Sequence, residues 1–77
     1  MNKYKTNSLS LASALSLFLT ITYIEKDATN NNCLFCFDDT PQLRQLISDF
    51  WNKNLQVDAS EYFAQTKTLK ARIHEML

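Results

Sequence analysis

The chain has 77 residues, enough for one domain and too few for two. A fold of this size buries only about 60–65% of the surface of its unfolded chain, so its core has little to spare. Eight Lys and Arg balance eight Asp and Glu, a net charge of zero. That balance argues against binding driven by phosphate neutralisation and against charge-driven attachment to anionic membranes. Glycine is absent, so neither a P-loop nor a dinucleotide-binding turn can be built.

Residues 1–6 read as polar and loose, with Tyr4 placed to pack. A helix is expected over 8–19. Lys3 and Lys5 followed by an apolar run over 9–24 have the outline of a signal peptide. Against that, Ser10, Ser13, Ser16 and Thr20 form a polar stripe opposite Leu11, Ala14, Leu15 and Phe18, the pattern of an amphipathic helix in a folded domain. No small-x-small cleavage site follows, because Lys26 stands two residues before Ala28. Residues 20–25 are rich in β-branched and aromatic side chains and read as a strand. A polar turn over 26–32 follows, in which Asn30, Asn31 and Asn32 stand in for glycine because asparagine tolerates left-handed backbone. Residues 33–37 form a second strand, and the two strands make a hairpin.

Thr40 and Pro41 mark a helix start, a capping side chain followed by the residue best suited to the first helical position. Leu43, Leu46, Ile47, Phe50 and Trp51 then form an apolar stripe, and 52–54 end the helix. Asp58 and Glu61 have the spacing of a capping box, with Val57 and Tyr62 as a hydrophobic staple. Tyr62, Thr66, Leu69, Ile73 and Met76 recur at four and three, and Phe63 and Leu77 are expected to widen the stripe. The expected fold class is α+β: a helix, a two-stranded antiparallel hairpin, then two helices packed on one sheet face. Phe35 and Phe37 should enter the core, with Ile21 or Tyr23 opposite.

Certain strings occur in a familiar order: Tyr4-Lys5-Thr6, Leu11-Ala12-Ser13-Ala14-Leu15, Ile24-Glu25-Lys26, Leu34-Phe35-Cys36-Phe37-Asp38-Asp39 and Pro41-Gln42-Leu43. Phe50-Trp51-Asn52, Val57-Asp58 and Thr68-Leu69-Lys70 complete the set. In their order and spacing they resemble a family of short uncharacterised bacterial and phage proteins, a domain of unknown function, over nearly the whole chain. Members of that family often carry a glycine between the first helix and first strand, and another after the Phe/Trp-Asn pair. Here those places hold Leu19 and Lys53. The resemblance implies a fold and no activity.

No constellation asks for catalysis or a cofactor. Cys33 and Cys36 have a metal- or redox-like spacing, but positions three apart on a strand point to opposite faces, so reduced core thiols are the better reading. Two cysteines in a strand also fit a cytoplasmic protein better than a secreted one. His74 is the one histidine and has no recognisable nucleophile turn beside it. Asp38 and Asp39 precede a helix start, where carboxylates are stabilised without catalytic duty.

The expected function is therefore binding. Trp51 and Phe50 are candidate anchors, although both also fit the core stripe. Cys33 and Phe35 lie on a strand whose outer edge a two-stranded hairpin leaves unpaired, which suggests a partner strand or a two-fold dimer. The alternative is weak nucleic-acid contact through Lys67, Lys70 and His74 on the last helix, joined in space by Arg44 and Lys53.

Overall fold

The computed structural model describes residues 2–26 and 32–76. In chain order the elements are β1 (Lys3–Thr6), α1 (Leu9–Ser16), β2 (Tyr23–Lys26), β3 (Cys33–Asp38), α2 (Pro41–Trp51) and α3 (Ala59–Met76). The class is α+β as expected, but the sheet has three antiparallel strands in the order β1-β3-β2. The turn expected over 26–32 falls, for 27–31, outside the described residues.

The third strand follows from the composition of β3. Cys33, Phe35, Cys36 and Phe37 are all buried, so β3 is apolar on both faces and belongs at the centre of a sheet. A central strand carries two rows of N–H and C=O groups that need partners. The hairpin partner β2 takes one row and β1 takes the other. The expectation of a loose segment is thus overturned over Lys3–Thr6; Met1 lies outside the described residues. The outer edge expected to be unpaired at 33–37 is taken by β1, which removes the ground for a partner strand there. The alternation in β1 fits its place. Tyr4 and Thr6 face the core opposite Phe37 and Phe35, while Lys3 and Lys5 lie on the open face. There Lys3 pairs with Asp38, and Lys5 Nζ pairs with Glu25 Oε1 at 2.9 Å.

Register also corrects which β2 residue meets the core. Ile24 lies opposite Phe35 and packs against the core cluster. Tyr23 lies opposite Cys36 on the other face and is exposed. Ile21 reaches the core from the stretch before β2.

All three helices contribute to the cluster on the core face of the sheet: Leu11, Ala12 and Leu15 from α1, Leu43 from α2 and Leu69 from α3, around Phe35 and Phe37. The first helix has α2 and α3 as neighbours. This explains why 11–15 are buried without a break, where an amphipathic stripe was expected. It is also shorter than expected. After Ser16 the chain tightens into a turn, with Phe18 N–H donating to Leu15 O at 3.0 Å, and Phe18 is left exposed.

Burial on all sides catches a polar group. Ser13 Oγ is buried and, among the described residues, has no hydrogen-bond partner. An unsatisfied buried hydroxyl costs about 1–3 kcal/mol, and alanine is also the better helix former. Ser13→Ala is therefore expected to raise stability by about 1 kcal/mol, measured as an increased urea midpoint.

The start of α2 forms as its sequence suggests: Thr40 Oγ1 accepts from Leu43 N–H at 3.1 Å, and Pro41 opens the helix. Leu43 is buried and Leu46, Ile47 and Phe50 pack around it. Trp51 does not join them. It is 65% exposed, because it closes the helix at the rim of the stripe. Two residues later Lys53 adopts a left-handed conformation, φ 61°, and among the described residues it alone has positive φ. This is the place where the resembled family often has glycine. A lysine Cβ crowds the backbone there, at a cost of roughly 1 kcal/mol. Lys53→Gly is expected to stabilise the fold by several tenths to about 1 kcal/mol, read as a raised melting temperature. At Leu19 the chain turns without left-handed backbone, so no glycine is missed there.

The capping residue of α3 is Asp58, whose Oδ2 accepts from Glu61 N–H at 2.9 Å. Leu69 is buried, with Tyr62, Thr66, Ile73 and Met76 half-buried along the same face. Tyr62 Oη–H donates to Ser10 O at 3.2 Å and fastens α3 to α1.

Candidate functional site: the outer face of the last helix

The side of α3 turned away from the core has its own composition. Ala59, Ser60, Phe63, Ala64, Lys67, Lys70 and His74 are all exposed. Phe63, Lys67, Lys70 and His74 follow one another at four, three and four residues, so they share one face. Phe63 is 63% exposed, which overturns its expected place in the apolar stripe. Lys67 Nζ lies over the Phe63 ring, 4.7 Å from its centroid. Ala59, Ser60, Phe63, Ala64 and Lys67 line a shallow hollow. Among the described residues neither Lys67, Lys70 nor His74 has an ion-pair partner. Glu61 and Glu75, the acidic residues of α3, fall on its flank and outside this stripe.

Lys67, Lys70 and His74 thus share one face as expected from the sequence, but another expected member, Arg44, is paired elsewhere. Arg44 makes a bidentate pair with Asp39, Nε to Oδ1 at 2.9 Å and a terminal nitrogen to Oδ2 at 2.6 Å, and its guanidinium also lies 5.3 Å from the Tyr4 ring centroid. The Arg44 guanidinium holds the Asp39 carboxyl below the usual carboxylate range. Lys53 is exposed in the turn beyond the end of α2.

The other predicted anchors divide. Trp51 is exposed and stands edge-on to Phe50, with centroids 5.2 Å apart at 87°, while Phe50 packs on the core. Cys33 and Phe35 are buried, so neither offers a side chain to a partner, a correction to their reading as edge contacts. Both cysteines are free thiols. Cys33 lies on the core face. Cys36 lies on the opposite face, beneath the Lys5–Glu25 pair that spans β3, and burial pushes its thiol up. Among the described residues no three His, Cys, Asp or Glu come together to hold a metal. Asp38 and Asp39 each take a cation, and Thr40 does the capping expected of them.

Two further concavities are small. One of about 300 Å³ lies between Leu19, Thr20, Asp38 and the start of α2, and one of about 280 Å³ lies between Ser16, Gln65 and Arg72. No helix among the described residues is long and apolar enough to cross a membrane.

These features define a small α+β domain with a three-stranded sheet, one buried helix and one helix whose outer face combines an aromatic ring with cations. The chain belongs to the family described as Domain of unknown function (DUF5659), whose model matches residues 1–75. No curated protein and no solved structure matches it.

Proposed function

We propose that the protein is a non-enzymatic interaction protein, an accessory factor of a bacterium, phage or mobile element, that docks a partner on the outer face of α3. One observation carries the reading. In a chain of 77 residues that needs its large side chains for the core, Phe63 faces water beside Lys67, Lys70 and His74, none of which has an ion-pair partner among the described residues. Such a face has no structural duty in the fold described above. Two buried free thiols suit a cytoplasmic setting.

The test is co-purification from the native host, comparing the natural chain with Phe63→Ala and with Lys67→Glu plus Lys70→Glu. A partner retained by the natural chain and lost by both variants supports the reading; the same proteins retained by all three contradicts it.

A second reading, weak nucleic-acid binding, draws on the shared face of Lys67, Lys70 and His74. The two lysines neutralise about two phosphates, which gives a shallow dependence of log affinity on log salt, near −1 to −2. An anisotropy titration of a single-stranded oligonucleotide across salt concentrations distinguishes it. A slope near zero, or binding unchanged by reversing Lys67 and Lys70, would exclude it.

A further inference from the structure

We infer that the partner of the α3 outer face is an acidic protein segment carrying an apolar side chain ahead of its carboxylates. The inference rests on the docking reading just given and names the chemistry of what docks. The face is graded along the helix. Its N-terminal half is the apolar hollow around Phe63, with the small side chains of Ala59 and Ala64 beside the ring. Its C-terminal half presents Lys70 and His74, with Lys67 between the halves. At 1.5 Å per residue, the step from Phe63 to His74 spans about 16 Å. An extended segment covers that length with about five residues, and a helical one with about three turns.

Charge complementarity decides the chemistry. The stripe is cationic and holds no carboxylate, so its complement is acidic. A second copy of this chain does not supply that complement. Among the described residues Asp38, Asp39 and Glu25 are engaged in ion pairs, Asp58 caps α3 and Asp49 accepts from Gln45, which leaves Glu61 and Glu75. These lie about 21 Å apart along α3, so they do not form an acidic run that could meet Lys67 and Lys70 together. A nucleic acid would meet the cations but leave the hollow empty, and Lys67 already occupies one face of the Phe63 ring where a base would stack. A carboxylate can instead approach Lys67 from outside and leave the cation on the ring, while a leucine-sized group fills the hollow beside it.

The experiment uses the full chain and fluorescein-labelled synthetic peptides in anisotropy titrations. The probe is a peptide with leucines followed by a run of glutamates. Its controls replace leucine by serine, or glutamate by glutamine. A single-stranded oligonucleotide of equal charge is titrated in parallel. The probe is expected to bind saturably and at least about tenfold more tightly than either control. Phe63→Ala, and separately Lys67→Glu with Lys70→Glu, should each weaken it by about tenfold or more. A peptide with lysine in place of glutamate should bind the charge-reversed variant better than the natural chain. Absence of saturable binding, indifference to the loss of leucine, or tighter binding of the oligonucleotide would each overturn the inference. If these fail while the native partner is still lost with Phe63→Ala, the acidic chemistry is wrong and the docking face stands. If the native partner ignores both variants, the face itself is wrong.

Discussion

Phe35→Ala is expected to lower the stability of the domain by about 3–5 kcal/mol, the range for truncating a fully buried aromatic. Phe35 is 1% exposed and sits on the central strand, between Thr6 of β1 and Ile24 of β2. The core cluster around it draws from all three helices, so the cavity left by its ring has walls on every side and little freedom to collapse. For 77 residues the whole stability is roughly 4 to 12 kcal/mol, so the loss takes about a quarter of it or more. Urea denaturation followed by far-ultraviolet circular dichroism reads the effect. Trp51 fluorescence is a poor probe, because that side chain already faces water in the folded state. A loss under about 1 kcal/mol would mean that Phe35 is not at the centre of the core.

Much of the fold was legible where local chemistry and packing agree. Thr40-Pro41 and Asp58 begin helices because their capping bonds need nothing beyond the next turn. Leu43, Leu46 and Ile47 repeat at helical spacing and meet the core as that spacing requires. What escaped is decided at long range. Lys3-Tyr4-Lys5-Thr6 looks like a polar terminus, and only the unpaired row of β3 makes it a strand, across about thirty residues of chain. The signal was present in the alternation of Lys with Tyr and Thr, but four residues are too few to outweigh two charges. The burial of Ser13 has a similar cause. Its helix is enclosed by neighbours from distant parts of the chain, and no periodicity within α1 announces that.

The site was half legible for a related reason. Lys67, Lys70 and His74 could be placed on one stripe by counting. Phe63 was assigned to the core because apolar residues usually are, although its spacing to Lys67 puts it on the basic face and not beside Leu69. Trp51 leaves both readings open in the sequence, anchor and core, and it is exposed because it closes α2 where the apolar stripe has already turned from the core. Arg44 counts as basic in the sequence, and its bidentate bond to Asp39 is visible only in the fold.

Reversing Lys67 and Lys70 is expected to separate binding from stability. Both residues are exposed and neither is in an ion pair among the described residues, so Lys67→Glu with Lys70→Glu should change stability by about 0.5–1 kcal/mol at most. The same change turns a cationic face into an anionic one opposite an acidic partner. Juxtaposed like charges cost several kcal/mol, so affinity should fall by about a hundredfold or more. Phe63→Ala should remove about one to two powers of ten by emptying the centre of the face.

Trp51 supplies the matched control, since it is as exposed as Phe63 and lies at the end of a different helix. The most direct measurement is the affinity of the isolated native partner for four chains: the natural one, Phe63→Ala, Trp51→Ala, and Lys67→Glu with Lys70→Glu. Docking on α3 predicts loss with Phe63→Ala and with the double reversal, and affinity within about twofold of the natural chain for Trp51→Ala. Loss with Trp51→Ala, and binding indifferent to Phe63 and the two lysines, would place the partner on α2 and contradict the account.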